Sequence, residues 1–165
     1  MRSMILRPVV GAVLLAALPA VAATKQTTMT VSASVVANCN ISTQNLSFGS
    51  YDATAAKTGS ANLTVRCSNG TPYTVKLSAG SGTFAQRLLT SGSNTLEYNL
   101  YTSSALTSVW GDGTSSTATV GGTGLGLASA SAIAHTVYGQ LPDSTANQNA
   151  AVGSYSDSVT VTVEY

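Results

Sequence analysis

The chain has 165 residues, enough for one domain with a core of its own. Only 8% of them are charged, against about 25% in ordinary soluble proteins. The formal charge is +1, so no large basic excess is available for neutralising phosphates, and nucleic-acid binding is excluded. Ser, Thr and Gly replace the missing charges. Such a chain could be disordered, but disordered chains are charged and poor in β-branched and aromatic residues. Seven Tyr and alternating runs of Val point instead to an all-β domain with weakly charged polar faces.

The first residues read as an address. Arg2 and Arg7 flank an apolar run from Val9 to Leu18, Pro19 breaks it, and Ala20-Val21-Ala22-Ala23 follows. A positive flank, a short apolar core and small residues at alternating positions make a secretory signal peptide over residues 1–23, cut after Ala22 or Ala23. The run is shorter than the roughly 20 apolar residues of a transmembrane helix, so no membrane span is expected after cleavage. The processed chain keeps Lys25, Lys57, Arg66, Lys76 and Arg87 against six acids. Its two cysteines, Cys39 and Cys67, are expected to form one disulfide in an exported chain. That bridge is worth roughly 3–4 kcal/mol in the chain-entropy model.

Thr27 to Val36 alternates, with Met29, Val31, Ala33 and Val35 on one face and Thr28, Thr30, Ser32 and Ser34 on the other. Period two predicts a strand with one buried face. Short strands follow around Cys39 and Ile41 and over Leu46 to Phe48. Asn62–Cys67 and Tyr73–Ser78 alternate in turn, and Ser68-Asn69-Gly70 between them predicts a hairpin. Ala79 to Thr83 is a Gly/Ser loop, and Leu96–Tyr101 is a strand with Leu96, Tyr98 and Leu100 in phase. Gly111-Asp112-Gly113 is a turn, Gly121 to Gly126 a Gly-rich loop, Ser131–Leu141 a strand, and Pro142 to Asn149 a polar connection. Ser154–Tyr165 is the last strand, with Val159, Val161, Val163 and Tyr165 on one face. Short strands between turn signals, with no helical periodicity, predict a sandwich or barrel.

Catalysis needs convergent titratable groups, and the pattern offers none. His135 is the sole His; it shares strand parity with Ile133 and Val137 and is expected at the rim of the core, in a structural role. No metal site is expected with so few ligands, and no cofactor. Most of Asp52, Glu97, Asp112, Asp143, Asp157 and Glu164 lie in or beside turns, where Asp bonds its own backbone. Trp110 reads as an aromatic packed under a turn, with an exposed sugar-stacking platform as the competing reading.

The landmarks then align with a family. Val36-Ala37-Asn38-Cys39-Asn40-Ile41, followed by Leu46-Ser47-Phe48-Gly49-Ser50-Tyr51-Asp52, resembles the opening of spore coat protein U domains. Val65-Arg66-Cys67-Ser68-Asn69-Gly70 is similar to their second Cys segment. Leu96-Glu97-Tyr98-Asn99-Leu100-Tyr101, Val109-Trp110-Gly111-Asp112-Gly113 and Val137-Tyr138-Gly139 resemble the middle landmarks, and Gly153 to Val163 the closing strand. The family includes subunits of archaic chaperone–usher pili. The resemblance therefore implies an incomplete immunoglobulin-like β-sandwich lacking its final strand. It also implies neighbouring pilin subunits, a periplasmic chaperone and an outer-membrane usher as partners, and a route through the periplasm to a cell-surface pilus. On this reading residues 24–36 are an N-terminal donor strand presenting Met29, Val31, Ala33 and Val35, and residues 37–165 are the pilin domain. An unpaired amphipathic strand and a groove that lacks a strand complement each other, a recognition mode of which pilin assembly is the standard example. A secreted coat or matrix protein and a small carbohydrate-binding adhesive module are the competing readings.

Overall fold

The computed structural model of the chain describes residues 21–165; most of the expected signal peptide, residues 1–20, lies outside them. Two units divide between Ser34 and Val35. In the first, residues 21–34 carry neither helix nor strand and every one is exposed, Met29 by 84% and Val31 by 82%. The strand with one buried face expected over Thr27–Val36 therefore does not form in the chain by itself. Period-two patterning supplies an amphipathic face, but a strand also needs a ladder partner, and this segment has none within the described residues.

The second unit, Val35–Tyr165, holds eight strands. They are β1 (Cys39–Thr43), β2 (Lys57–Cys67), β3 (Pro72–Leu77), β4 (Arg87–Ser91), β5 (Asn94–Tyr101), β6 (Val120–Thr123), β7 (Ile133–Leu141) and β8 (Val161–Glu164). One helical turn, α1 (Thr145–Gln148), follows β7, capped by the Ser144 hydroxyl. All ladders are antiparallel, in a five-stranded sheet β1-β2-β7-β5-β4 and a three-stranded sheet β6-β3-β8. The inner faces are the alternating residues read from the sequence. Leu63, Val65 and Cys67 of β2, Tyr73, Val75 and Leu77 of β3, and Leu96, Tyr98 and Leu100 of β5 join Val137, Leu141 and Trp110 in one core. Each large side chain so buried stabilises by about 1.5–3 kcal/mol. The protein is an all-β, immunoglobulin-like sandwich.

Several elements differ from the sequence reading. β2 and β3 are not a hairpin: they lie in different sheets, and the turn at Gly70 (φ +79°) carries the chain over the end of the sandwich. Both apolar faces point into one core, so the strands face each other rather than pair. Leu46 to Phe48 is not a strand either. It crosses the face of the β2–β7 ladder where Gly59 pairs with Gly139, two residues without side chains. A Cβ on Gly139 would lie 2.9 Å from the Phe48 ring and 3.0 Å from Leu46 Cδ1, so the glycines make the seat for both side chains.

The Gly-rich stretch after Trp110 is partly strand. β6 pairs with β3 from Val75↔Val120 to Pro72↔Thr123, and Gly122 leaves room for the Tyr73 ring, whose hydroxyl would sit 2.5 Å from an added Cβ. The final strand is short: only Val161–Glu164 ladder onto β3, while Ser156 makes a lone bridge to Thr90. β4 is an addition. It forms a hairpin with β5 through Gly92 (φ +60°) and Ser93, the two-residue turn that Gly-Ser favours.

Candidate functional site

β8 ends the three-stranded sheet and has a single neighbour, β3. Its side toward the core opens into a cleft of about 1110 Å³. The floor is apolar, from Leu77 of β3, Leu89 of β4, Leu96, Tyr98 and Leu100 of β5, and Val137 and Leu141 of β7. Val159 and Val161 form one wall, and Leu46 and Phe48, seated on the paired glycines, form the other. The cleft is thus a gap between the two sheets, next to a strand edge whose N–H and C=O groups have no ladder partner among the described residues.

Polar groups close the two ends of this cleft. At one, Tyr98 donates to Asp157 Oδ2 at 2.6 Å, and the Ser81 hydroxyl and backbone N–H donate to Asp157 Oδ1 at 2.7 and 3.0 Å. Burial pushes the Asp157 carboxyl up, but the hydrogen bonds from Tyr98, Ser81 and the Ser158 N–H outweigh it and hold the group below its ordinary value. Burial, together with donation to that carboxylate, pushes the Tyr98 phenol well up. Behind them Arg87 is completely buried. It donates to the Ser78 carbonyl from Nε at 3.2 Å and Nη2 at 2.9 Å, to the Trp110 carbonyl at 2.8 Å and to Asn99 Oδ1 at 2.6 Å. At the other end the buried Asn147 of α1 accepts from the Glu97 N–H at 2.7 Å and donates to the Glu97 and Pro142 carbonyls. These bonds are internal, and no buried side-chain nitrogen or oxygen among the described residues lacks a partner, so the polar groups here shape the ends of the cleft.

The residues singled out from sequence fall into place around this frame. Cys39 and Cys67 are bonded, and they face each other in the β1–β2 ladder. Trp110 is 0% exposed and donates from Nε1 to the Val75 carbonyl at 3.1 Å, so it cannot serve as a sugar platform. His135 sits half-buried at the core's rim, with Nε2 2.8 Å from the Tyr73 hydroxyl, and burial pushes its pKa down. Thr54 bonds hold the Asp52 carboxyl below its ordinary value, and Thr114 bonds do the same for Asp112, as Asx turns do. Glu97 accepts from the Ser144 hydroxyl, and Glu164 pairs with Lys76 at 2.7 Å. Among the described residues no three His, Cys, Asp or Glu converge on a metal-sized space. Met29, Val31, Ala33 and Val35 are all exposed. Sequence reasoning missed Arg87, Asn99 and Asn147, because a lone Arg or Asn in a strand or loop carries no period that marks it as buried.

A model of the Spore Coat Protein U domain matches residues 25–162. The chain belongs to that family. The match begins ahead of Cys39 and takes in Met29 to Val35. Spore coat protein U membership makes this a structural, non-enzymatic protein. No curated protein matches it. Among solved structures, it is similar to a chain of the CsuC–CsuE chaperone–tip adhesion subunit pre-assembly complex, from the archaic chaperone-usher Csu pili of Acinetobacter baumannii. The identity is 23%, the TM-score is 0.55, and the likeness covers 79% of this chain and 40% of that one. The chain thus spans less than half of that neighbour's length, and at this identity the likeness speaks for the fold.

Proposed function

We propose that the protein is a structural subunit of a surface pilus, polymerised by donor-strand complementation. It is exported by its N-terminal signal peptide, carried by a periplasmic chaperone and delivered to an outer-membrane usher. Residues 24–36 are the donor, and the acceptor is the cleft beside β8 in the next copy. The observation that carries this reading is the cleft itself. It has an apolar floor and is bounded by a strand edge that lacks a ladder partner among the described residues, in a chain that also exposes an apolar stripe at strand period. An entering strand would satisfy the edge of β8 with main-chain hydrogen bonds and place Met29, Val31 and Val35 in the gap. Burying these three contributes on the order of 1.5–3 kcal/mol each. Donation from one copy to the next does not close on itself and so builds a filament. Adhesion and biofilm formation are the roles such a filament serves at a cell surface.

The test compares two carboxylates. Val31→Asp puts an unpaired charge into the apolar gap and is expected to abolish filaments in an export and assembly assay. Thr30→Asp puts the same charge on the opposite face and is expected to leave most of the filament yield. Equal yields from the two sink the donor assignment. A protein that is exported and folded, yet never polymerises even unmutated, favours the coat or matrix reading.

A further inference from the structure

One exposed apolar feature lies outside the cleft. The stretch from Gly121 to Ser131 holds no charged residue, and within it Leu125 and Leu127 are 62% and 41% exposed. The loop that carries them is held tightly. The Gly126 N–H donates to the Cys67 carbonyl at 2.9 Å, the Gly124 N–H to the Thr71 carbonyl at 2.7 Å, and the Gly124 carbonyl accepts from the Gly70 N–H at 2.9 Å. A Cβ on Gly124 would fall 2.4 Å from the Ser68 carbonyl oxygen, so the two backbones are in contact. The same turn fixes the start of the domain, because the Ser68 N–H donates to the Asn38 carbonyl at 2.9 Å and the Asn38 N–H to the Ser68 hydroxyl at 3.1 Å. The loop that carries the exposed leucines and Asn38, just ahead of β1, are therefore both hydrogen-bonded to the one turn over residues 67–71, at one end of the sandwich.

We propose that this loop, residues 124–128, is a contact surface for a second copy of this chain, seated against the rim of that copy's cleft. The proposal rests on the donor-strand reading above. Between Val35, the last donor residue, and Asn38 only Val36 and Ala37 intervene. Three extended residues reach about 10 Å. Once Val35 occupies the neighbour's cleft, the turn that anchors Asn38 lies within that distance of the cleft's rim, and Leu125 and Leu127 go with it. A charge-free loop suits such a contact, since identical subunits bring identical charges and the loop adds no repulsion. Its rigidity suits it too, because little freedom is left to lose on docking. The contact would turn a flexible string of tethered domains into a filament with a defined angle between neighbours.

The experiment uses the full chain, exported with its chaperone and usher, carrying a photoreactive benzophenone side chain in place of Leu125. A control carries it in place of Ser115, an exposed residue in the turn after Gly111, at the opposite end of β3. Irradiated filaments, then stripped apart by heat and detergent, are expected to yield covalent subunit pairs from position 125 and none from position 115. The chaperone-bound subunit is expected to yield none from either. Normal filaments without covalent pairs from position 125 overturn the contact while leaving the donor strand standing. Cross-links from position 125 to the chaperone and not to a second subunit also overturn it. Absence of filaments from the unmodified chain overturns the donor reading and this inference with it.

Discussion

Arg87 offers the sharpest quantitative test of how the cleft is built. Its guanidinium is fully buried, no carboxylate among the described residues forms an ion pair with it, and the ring of Phe84 lies 5.4 Å from its centre. Burial pushes its pKa down, yet its donors meet three acceptors: the carbonyls of Ser78 and Trp110, and Asn99 Oδ1. Arg87→Met keeps most of the stem and removes every donor. Asn99 Oδ1 still accepts from the Leu100 N–H at 2.9 Å, so the loss falls on the two carbonyls. Leaving each without a partner costs about 1–3 kcal/mol, so the variant is expected to lose about 2–6 kcal/mol, less whatever is recovered by no longer burying a cation. Against a typical total of about 5–15 kcal/mol this is a severe lesion. Arg87→Lys is expected to fall between, because one ammonium cannot span all three acceptors. The assay is urea unfolding of the domain complemented in cis by residues 27–36 grafted after Tyr165. It is followed by the fluorescence of Trp110, the sole Trp and a direct neighbour in this network. A loss below about 0.5 kcal/mol for Arg87→Met refutes the reasoning, for it means those carbonyls find water or another donor.

Gly124→Ala is expected to cost about 1–3 kcal/mol, since its Cβ meets two backbone carbonyls at 2.4 and 2.6 Å that cannot swing aside; unchanged stability in the same unfolding assay contradicts the packing of that turn. Acid is expected to weaken the domain in two steps. Burial holds His135 below its ordinary value, so the unfolded chain binds the extra proton first, and stability falls as pH drops below about 6.5. The Asp157 carboxyl is likewise depressed in the fold, so its contribution is present above about pH 4 and is lost as pH falls through the folded value. His135→Gln is expected to flatten the first step and Asp157→Asn the second; retention of either step in its own variant, measured by denaturation across pH, shows that another group is responsible.

The cleft and its setting are only partly legible in the sequence. Leu96, Tyr98 and Leu100 were visible as one face of a strand, and they do form part of the floor. Leu46 to Phe48 reads from sequence as a short strand, since nothing local says that the chain will cross Gly59 and Gly139 instead of pairing. Gly121 to Gly126 reads as a loop from sequence because glycine normally weakens strands, and in β6 Gly122 is explained by the Tyr73 ring packed where its side chain would be. Alternation does not mark where β8 begins: Val159 shares a face with Val161, Val163 and Tyr165, yet ladder formation stops at Val161, where β3 ends as a partner.

What the amino-acid order determined by itself is whatever repeats at short range. Alternation marks β1, β2, β3, β5 and β7 because successive side chains in a strand point to opposite faces, whatever the partner. Two cysteines leave one intrachain pairing, and the bond is there. Tertiary structure alone decided which strand lies beside which, since period two says which face is buried but not what buries it. The same alternation therefore serves β2 and β3, which meet across the core, and β2 and β7, which share a ladder. It also serves Met29 to Val35, which has an apolar face and no ladder partner among the described residues. The polar interior around Arg87, Asn99 and Asn147 was decided at the same level, because a buried hydrogen bond joins groups far apart in the chain and leaves no mark on the residues between them.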